Sequence, residues 1–167
     1  MIARFKMPLA AIGLILMTGA AQAEMSVKLG APWTGKAVPK GQHCTLHGGN
    51  GATPPMQVSG LPAGTAALIV EYDDKSYQPL STRGGHGTLM YPVKGAGAKL
   101  PAVPGLTNKL PGGVKVVKPA RGTGKYASKG YLPPCSGGKG NRYTATLKAV
   151  NSGGKVLEKK TITIGKY

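Results

Sequence analysis

Four runs of alternating or continuous apolar residues stand out along the chain, and all read as strands. Thr65–Tyr72 (TAALIVEY) is apolar up to a pair of acids, as a buried strand would be, and Gly87–Val93 (GTLMYPV) is a second such run. Arg142–Val150 (RYTATLKAV) alternates, with Tyr143, Ala145, Leu147 and Ala149 on one face and Arg142, Thr144, Thr146 and Lys148 on the other. Val156–Ile164 (VLEKKTITI) follows after Asn151-Ser152-Gly153-Gly154, so the last two runs read as a β-hairpin. No window past the first 23 residues carries a sustained helical stripe. Short strands set between Gly and Pro turns predict an all-β sandwich or barrel with few helices.

The segment 94–130 breaks this pattern. It holds eight basic residues and no acid, and it is rich in Gly and Pro. It reads as a long surface excursion with at most one short strand, at Gly113–Val117. Such a loop in a compact domain is usually functional or mobile. Its Lys115, Lys118, Arg121 and Lys125 are candidate contacts for a polyanion.

The N-terminus has its own pattern. Arg4 and Lys6 precede an uncharged apolar run from Met7 to about Met17, which closes on Ala20-Ala21-Gln22-Ala23. This order is that of a cleavable signal peptide over residues 1–23. The apolar run is too short to span a bilayer, which takes roughly 20 residues. The expected mature chain, 24–167, is one domain without a transmembrane segment, periplasmic or secreted. The whole chain carries a net charge of +17; without Arg4 and Lys6 the mature part keeps 20 basic and five acidic residues, a net +15. That field favours anionic partners. Aromatics are too sparse for the interleaved pattern of a single-strand nucleic-acid reader.

The two cysteines, Cys44 and Cys135, suggest one disulfide in an exported protein. Two free thiols are the alternative. A metal site is weaker still: His43 and His47 flank Cys44, but no C-x-x-C pair exists. Enzyme signatures are missing from the sequence. There is no G-x-S-x-G elbow, no phosphate loop, and no carboxylate pair beyond Asp73–Asp74. No cofactor is expected.

Four blocks, in order, resemble the phosphatidylethanolamine-binding protein family, also called Raf kinase inhibitor-like proteins. They are CTLHGGNGATPPMQVSGLPAGT from Cys44, Ala67–Asp74 (ALIVEYDD), Gly84-Gly85-His86-Gly87 with its following strand, and Gly130–Cys135 (GYLPPC) with Asn141-Arg142-Tyr143. The resemblance implies a two-sheet antiparallel Greek-key sandwich with a small anion-accepting pocket at one end. Carried over, the pocket residues are Asp73, with Asp74 beside it, His86, Pro134, Asn141 and Tyr143. It also implies a Cys44–Cys135 bridge beside the pocket. In this reading a charged His86, oriented by an aspartate, donates to the anion while Tyr143 adds a neutral donor. The sequence departs from the family where tryptophans flank the histidine, here Gly85 and Gly87, and where a second histidine stands, here Asn141. The pocket is therefore expected to be wider or altered in specificity. The expected function is non-enzymatic binding of a small anion or phosphorylated headgroup. The rivals are inhibition of a protein partner and binding of acidic lipid or polyanion through the Lys-rich segment.

Overall fold

The computed structural model describes residues 24–167, and the expected signal peptide lies outside them. Eight strands run in chain order: β1 Ser26–Leu29, β2 Met56–Ser59, β3 Ala67–Asp74, β4 Thr88–Pro92, β5 Gly97–Leu100, β6 Lys115–Lys118, β7 Arg142–Val150 and β8 Val156–Lys166. Three single turns of 3-10 helix, at Thr45–His47, Gln78–Leu80 and Gly124–Tyr126, are the helical elements among the described residues. No helix there is long and apolar enough to cross a membrane.

The strands form two antiparallel sheets, β1-β2-β5 and β6-β4-β3-β7-β8. Within the larger one, β7 returns to lie beside β3 after β3, β4 and β6 have been laid down in turn. That is the Greek-key order, with β5 leaving for the other sheet between β4 and β6. The expected architecture is therefore the observed one.

Register explains the core. Leu68 lies opposite Tyr91 and Ala149, and Val70 opposite Leu89 and Leu147. All six are buried, so the alternating face of β7 and the even positions of β3 share one surface. Met56, Val58 and Leu100 from the small sheet, with Met25, complete the same cluster. The turn between β7 and β8 closes on Asn151. Its carbonyl accepts the Gly154 N–H (2.9 Å) and its side chain accepts the Lys155 N–H (2.9 Å).

The segment 94–130 differs from the expected loose loop. It contributes β5 to the small sheet and β6 to the edge of the large one. Between them, Val103 is fully buried, and its N–H bonds the buried Thr53 hydroxyl (3.0 Å). A satellite core of Cys44, Leu80, Ala120, Leu132 and Cys135 lies at the end of the sandwich. Cys44 and Cys135 are disulfide-bonded, with Cα atoms 5.2 Å apart.

Candidate functional site

The satellite core floors a cavity of about 460 Å³ at the end of β3 and β7. Its polar lining includes Asp74, His86, Asn141 and Tyr143, which come from three separate stretches of chain. The β3–β7 register places Asp74 directly opposite Tyr143. His86 arrives from the loop before β4, and its ring meets Tyr143 edge-on with centroids 5.2 Å apart.

That loop is tied at nearly every atom. The Gly85 N–H donates to Asp73 Oδ1 (2.8 Å), and the His86 N–H donates to the Tyr72 carbonyl (2.8 Å). The Leu132 N–H in turn donates to the His86 carbonyl (2.8 Å), and the Arg121 N–H to the Gly85 carbonyl (2.9 Å). Gly85 is required by space: a Cβ there would stand 2.1 Å from the Leu80 carbonyl oxygen. Gly87, at φ +110, would place a Cβ 2.8 Å from the Gly130 carbonyl. So the two positions where family tryptophans are expected are closed by backbone and do not open the pocket. The apolar walls come instead from Tyr77, Leu80, Tyr126 and Leu132.

The imidazole of His86 differs from the expected charged donor. Its Nδ1 lies 2.8 Å from the Leu132 carbonyl, which can only accept, so Nδ1 carries the proton. Burial lowers its pKa below the usual histidine value; the Leu132 hydrogen bond and the Asp74 and Asp73 charges oppose this but are weaker. The ring is therefore neutral at physiological pH and turns a lone pair at Nε2 to the cavity. Its orientation is set by Leu132, where the sequence reading expected an aspartate.

Asp73 is buried, but its carboxylate points to Gly85 and does not line the cavity. Pro134 is also outside the lining, and its carbonyl accepts the Cys44 N–H (2.9 Å). Asp74 takes the inward place. Its oxygens accept from the Ser76 N–H (2.9 Å) and the Asn141 side-chain amide (2.7 Å). One of the two amide N–H donors expected to meet a ligand is thereby used on Asp74. Tyr143 accepts the Cys135 N–H (3.2 Å), and the neighbouring Asp74 carboxylate competes for its own O–H. Burial first of all pushes this phenol up to about 12, so it stays protonated.

Two basic residues on the lining, Arg121 and Lys139, were not assigned to the cavity from sequence. Arg121 is anchored by its guanidinium to the carbonyls of Pro79 (3.0 Å), Thr82 (2.8 Å) and Arg83 (3.3 Å). It also walls a second cavity of about 440 Å³ that Lys118 helps to line. Lys115 and Lys118 project from the edge strand β6, and the Lys125 ammonium lies 5.5 Å over the Tyr126 ring.

No family model matches the chain, and no curated protein matches it. Solved structures do. A phosphatidylethanolamine-binding protein (PEBP) homologue from Chlamydia trachomatis is 20% identical, with 86% of this chain and 97% of that one covered and a TM-score of 0.53. YbcL of E. coli, a member of the mammalian PEBP family, is 22% identical over 87% and 98%, with a TM-score of 0.54. The chain has the PEBP-like fold.

Proposed function

We propose that this protein is an exported, non-enzymatic binding protein whose cavity takes a small phosphorylated ligand in its singly protonated form. The carrying observation is the polarity of the lining. A neutral His86 offers Nε2 as an acceptor, Tyr143 offers a donor, and Lys139 supplies positive charge, while Asp74 stands beside them. A phosphate monoester that retains one proton fits this set. Its P–O–H donates to Nε2, and its other oxygens accept from the Tyr143 hydroxyl and the Lys139 ammonium. A full dianion would face the lone pair of His86 and the Asp74 carboxylate.

The PEBP-like fold supports this reading, since the relatives in that fold carry binding in their names. The disulfide and the N-terminal signal pattern support export. The test is calorimetric titration with inorganic phosphate and O-phosphoethanolamine, followed in parallel by the nitrogen shift of His86 Nε2. Binding should weaken as pH rises above the second phosphate pKa, roughly 6 for a monoester. Sulfate, which carries no proton near neutrality, should bind far more weakly. His86→Ala should abolish the response, and a wild-type protein silent to both phosphates would end the proposal.

A second reading rests on the edge strand β6, where Lys115 and Lys118 are exposed on a strongly basic chain. Binding of polyanion or acidic lipid there would fall steeply with salt through counterion release. Salt-insensitive binding to heparin would exclude it.

A further inference from the structure

The disulfide has a third chemistry-bearing neighbour. The ligand atoms of Cys44, Cys135 and His47 all lie within 4.8 Å of one another. The His47 N–H donates to the Cys44 carbonyl (3.1 Å), so the tight turn Cys44-Thr45-Leu46-His47 brings both side chains to one side. The imidazole rests on Gly137, where a Cβ would come within 3.1 Å of its Cε1 and 3.3 Å of its Nε2. Gly137 has φ +69 and lies two residues beyond Cys135, so the loop is shaped to leave that ring its place.

We propose that reduction of the Cys44–Cys135 bridge creates a site for a thiophilic closed-shell cation, Cu⁺ or Zn²⁺, held by both thiolates and the His47 imidazole. A protein or small-molecule dithiol supplies the two electrons. The S–S bond breaks, the dithiol closes to its own disulfide, and its two protons pass to the cysteine sulfurs. The metal then displaces those protons to solvent. Two sulfurs and one imidazole nitrogen are the soft-to-borderline set that selects these ions over Mg²⁺ or Ca²⁺. Tetrahedral Zn²⁺ would hold its sulfurs about 3.8 Å apart and each about 3.5 Å from the nitrogen, from bond lengths of about 2.3 and 2.0 Å.

The backbone does not depend on the bridge to keep the cysteines close. The Cys44 N–H still donates to the Pro134 carbonyl (2.9 Å), and the Gly51 N–H still closes the loop onto the His43 carbonyl (3.0 Å). His47 is exposed, which gives an incoming ion its path. Water completes four-coordination for Zn²⁺, whereas three ligands suffice for Cu⁺.

The experiment uses the protein reduced and desalted under argon. Co²⁺, as a spectroscopic stand-in for Zn²⁺, should produce a thiolate-to-cobalt charge-transfer band that saturates at one equivalent. Cu⁺ should be taken from a chromophoric chelator with the same stoichiometry. The oxidised protein should do neither. His47→Ala should weaken binding at least tenfold, roughly the lower bound seen on losing even an indirect metal partner. Near-ultraviolet circular dichroism reports the fold; should reduction diminish it, added metal should restore it. A reduced protein without the band, or a His47→Ala variant that binds as tightly as wild type, would overturn the site.

Discussion

Reducing the disulfide should cost about a third or more of the protein's reserve of stability without removing a single heavy atom. The bridge joins residues 91 positions apart, so the reduced unfolded chain regains the freedom of a long closed loop. In the chain-entropy model a loop of that length corresponds to about 15.5 cal/mol/K, or about 4.6 kcal/mol at 25 °C. Folded domains hold only about 5–15 kcal/mol in total. For a domain of this size each kcal/mol moves Tm by about 3 °C, so melting should fall by about 14 °C. Urea unfolding is read conveniently from Trp33, the only tryptophan, which is buried in the main core. The midpoint should drop while m rises, because an uncrosslinked unfolded chain exposes more surface. The backbone bonds that hold Cys44 against Pro134 remain after reduction, so the folded signal in water should persist. A loss below about 1.5 kcal/mol, with m unchanged, would show that the unfolded chain gains little freedom and refute the loop-entropy argument.

Three other outcomes follow from the loop around His86. Gly85→Ala should destabilise by about 3 kcal/mol or more in denaturant titrations, because its methyl meets the Leu80 carbonyl and not a flexible side chain. Asp73→Ala should cost about 1–3 kcal/mol by leaving the Gly85 N–H buried and unpaired, while Asp73→Asn should recover much of this through its amide oxygen. Since burial lowers the His86 pKa in the folded state, the unfolded chain binds the extra proton first. Stability should therefore fall as pH drops below about 6.5 and continue to fall until the folded-state pKa is passed. That part of the slope should vanish in His86→Gln, and a wild-type midpoint independent of pH between 7 and 5 would contradict the neutral assignment.

The large sheet was legible because its strands carry their burial in their spelling. β7 alternates through its middle, from Ala145 to Ala149, and every even-numbered core residue of β3 is apolar up to Tyr72. The small sheet was not, since β1 and β5 are four-residue strands with half-exposed patterns and β5 has only Leu100 as a large apolar residue. Only pairing with β2 makes strands of them. At the candidate site, motif order named Asp74, His86, Asn141 and Tyr143, which line one cavity. It named both aspartates, carrying over Asp73 first, whereas adjacent strand residues face opposite ways and only Asp74 lines the cavity. The signal was nonetheless present: Asp74 continues the parity of Leu68, Val70 and Tyr72, while Asp73 does not. The protonation of His86 was beyond reach, since it depends on the Leu132 carbonyl, 46 residues away, and on burial.

This last point changes what the net charge does. A highly basic chain with a histidine pocket suggests that positive charge reaches the ligand from every side. The groups at the cavity floor are instead a neutral imidazole, a phenol held protonated and a carboxylate. The Arg121 guanidinium on the lining has both terminal nitrogens committed to backbone carbonyls. In the proposed binding mode, the surface lysines attract at long range, while His86, Tyr143 and Lys139 make the short-range contacts. The surface lysines raise the local concentration of any anion, without regard to its kind and only as far as salt allows. In the proposed complex the ligand covers His86 Nε2, and one without a donor would leave that acceptor buried and unpaired. On the proposed function, charge brings both sulfate and phosphate to the rim, and the lone pair on His86 favours the oxyanion that has a proton to give.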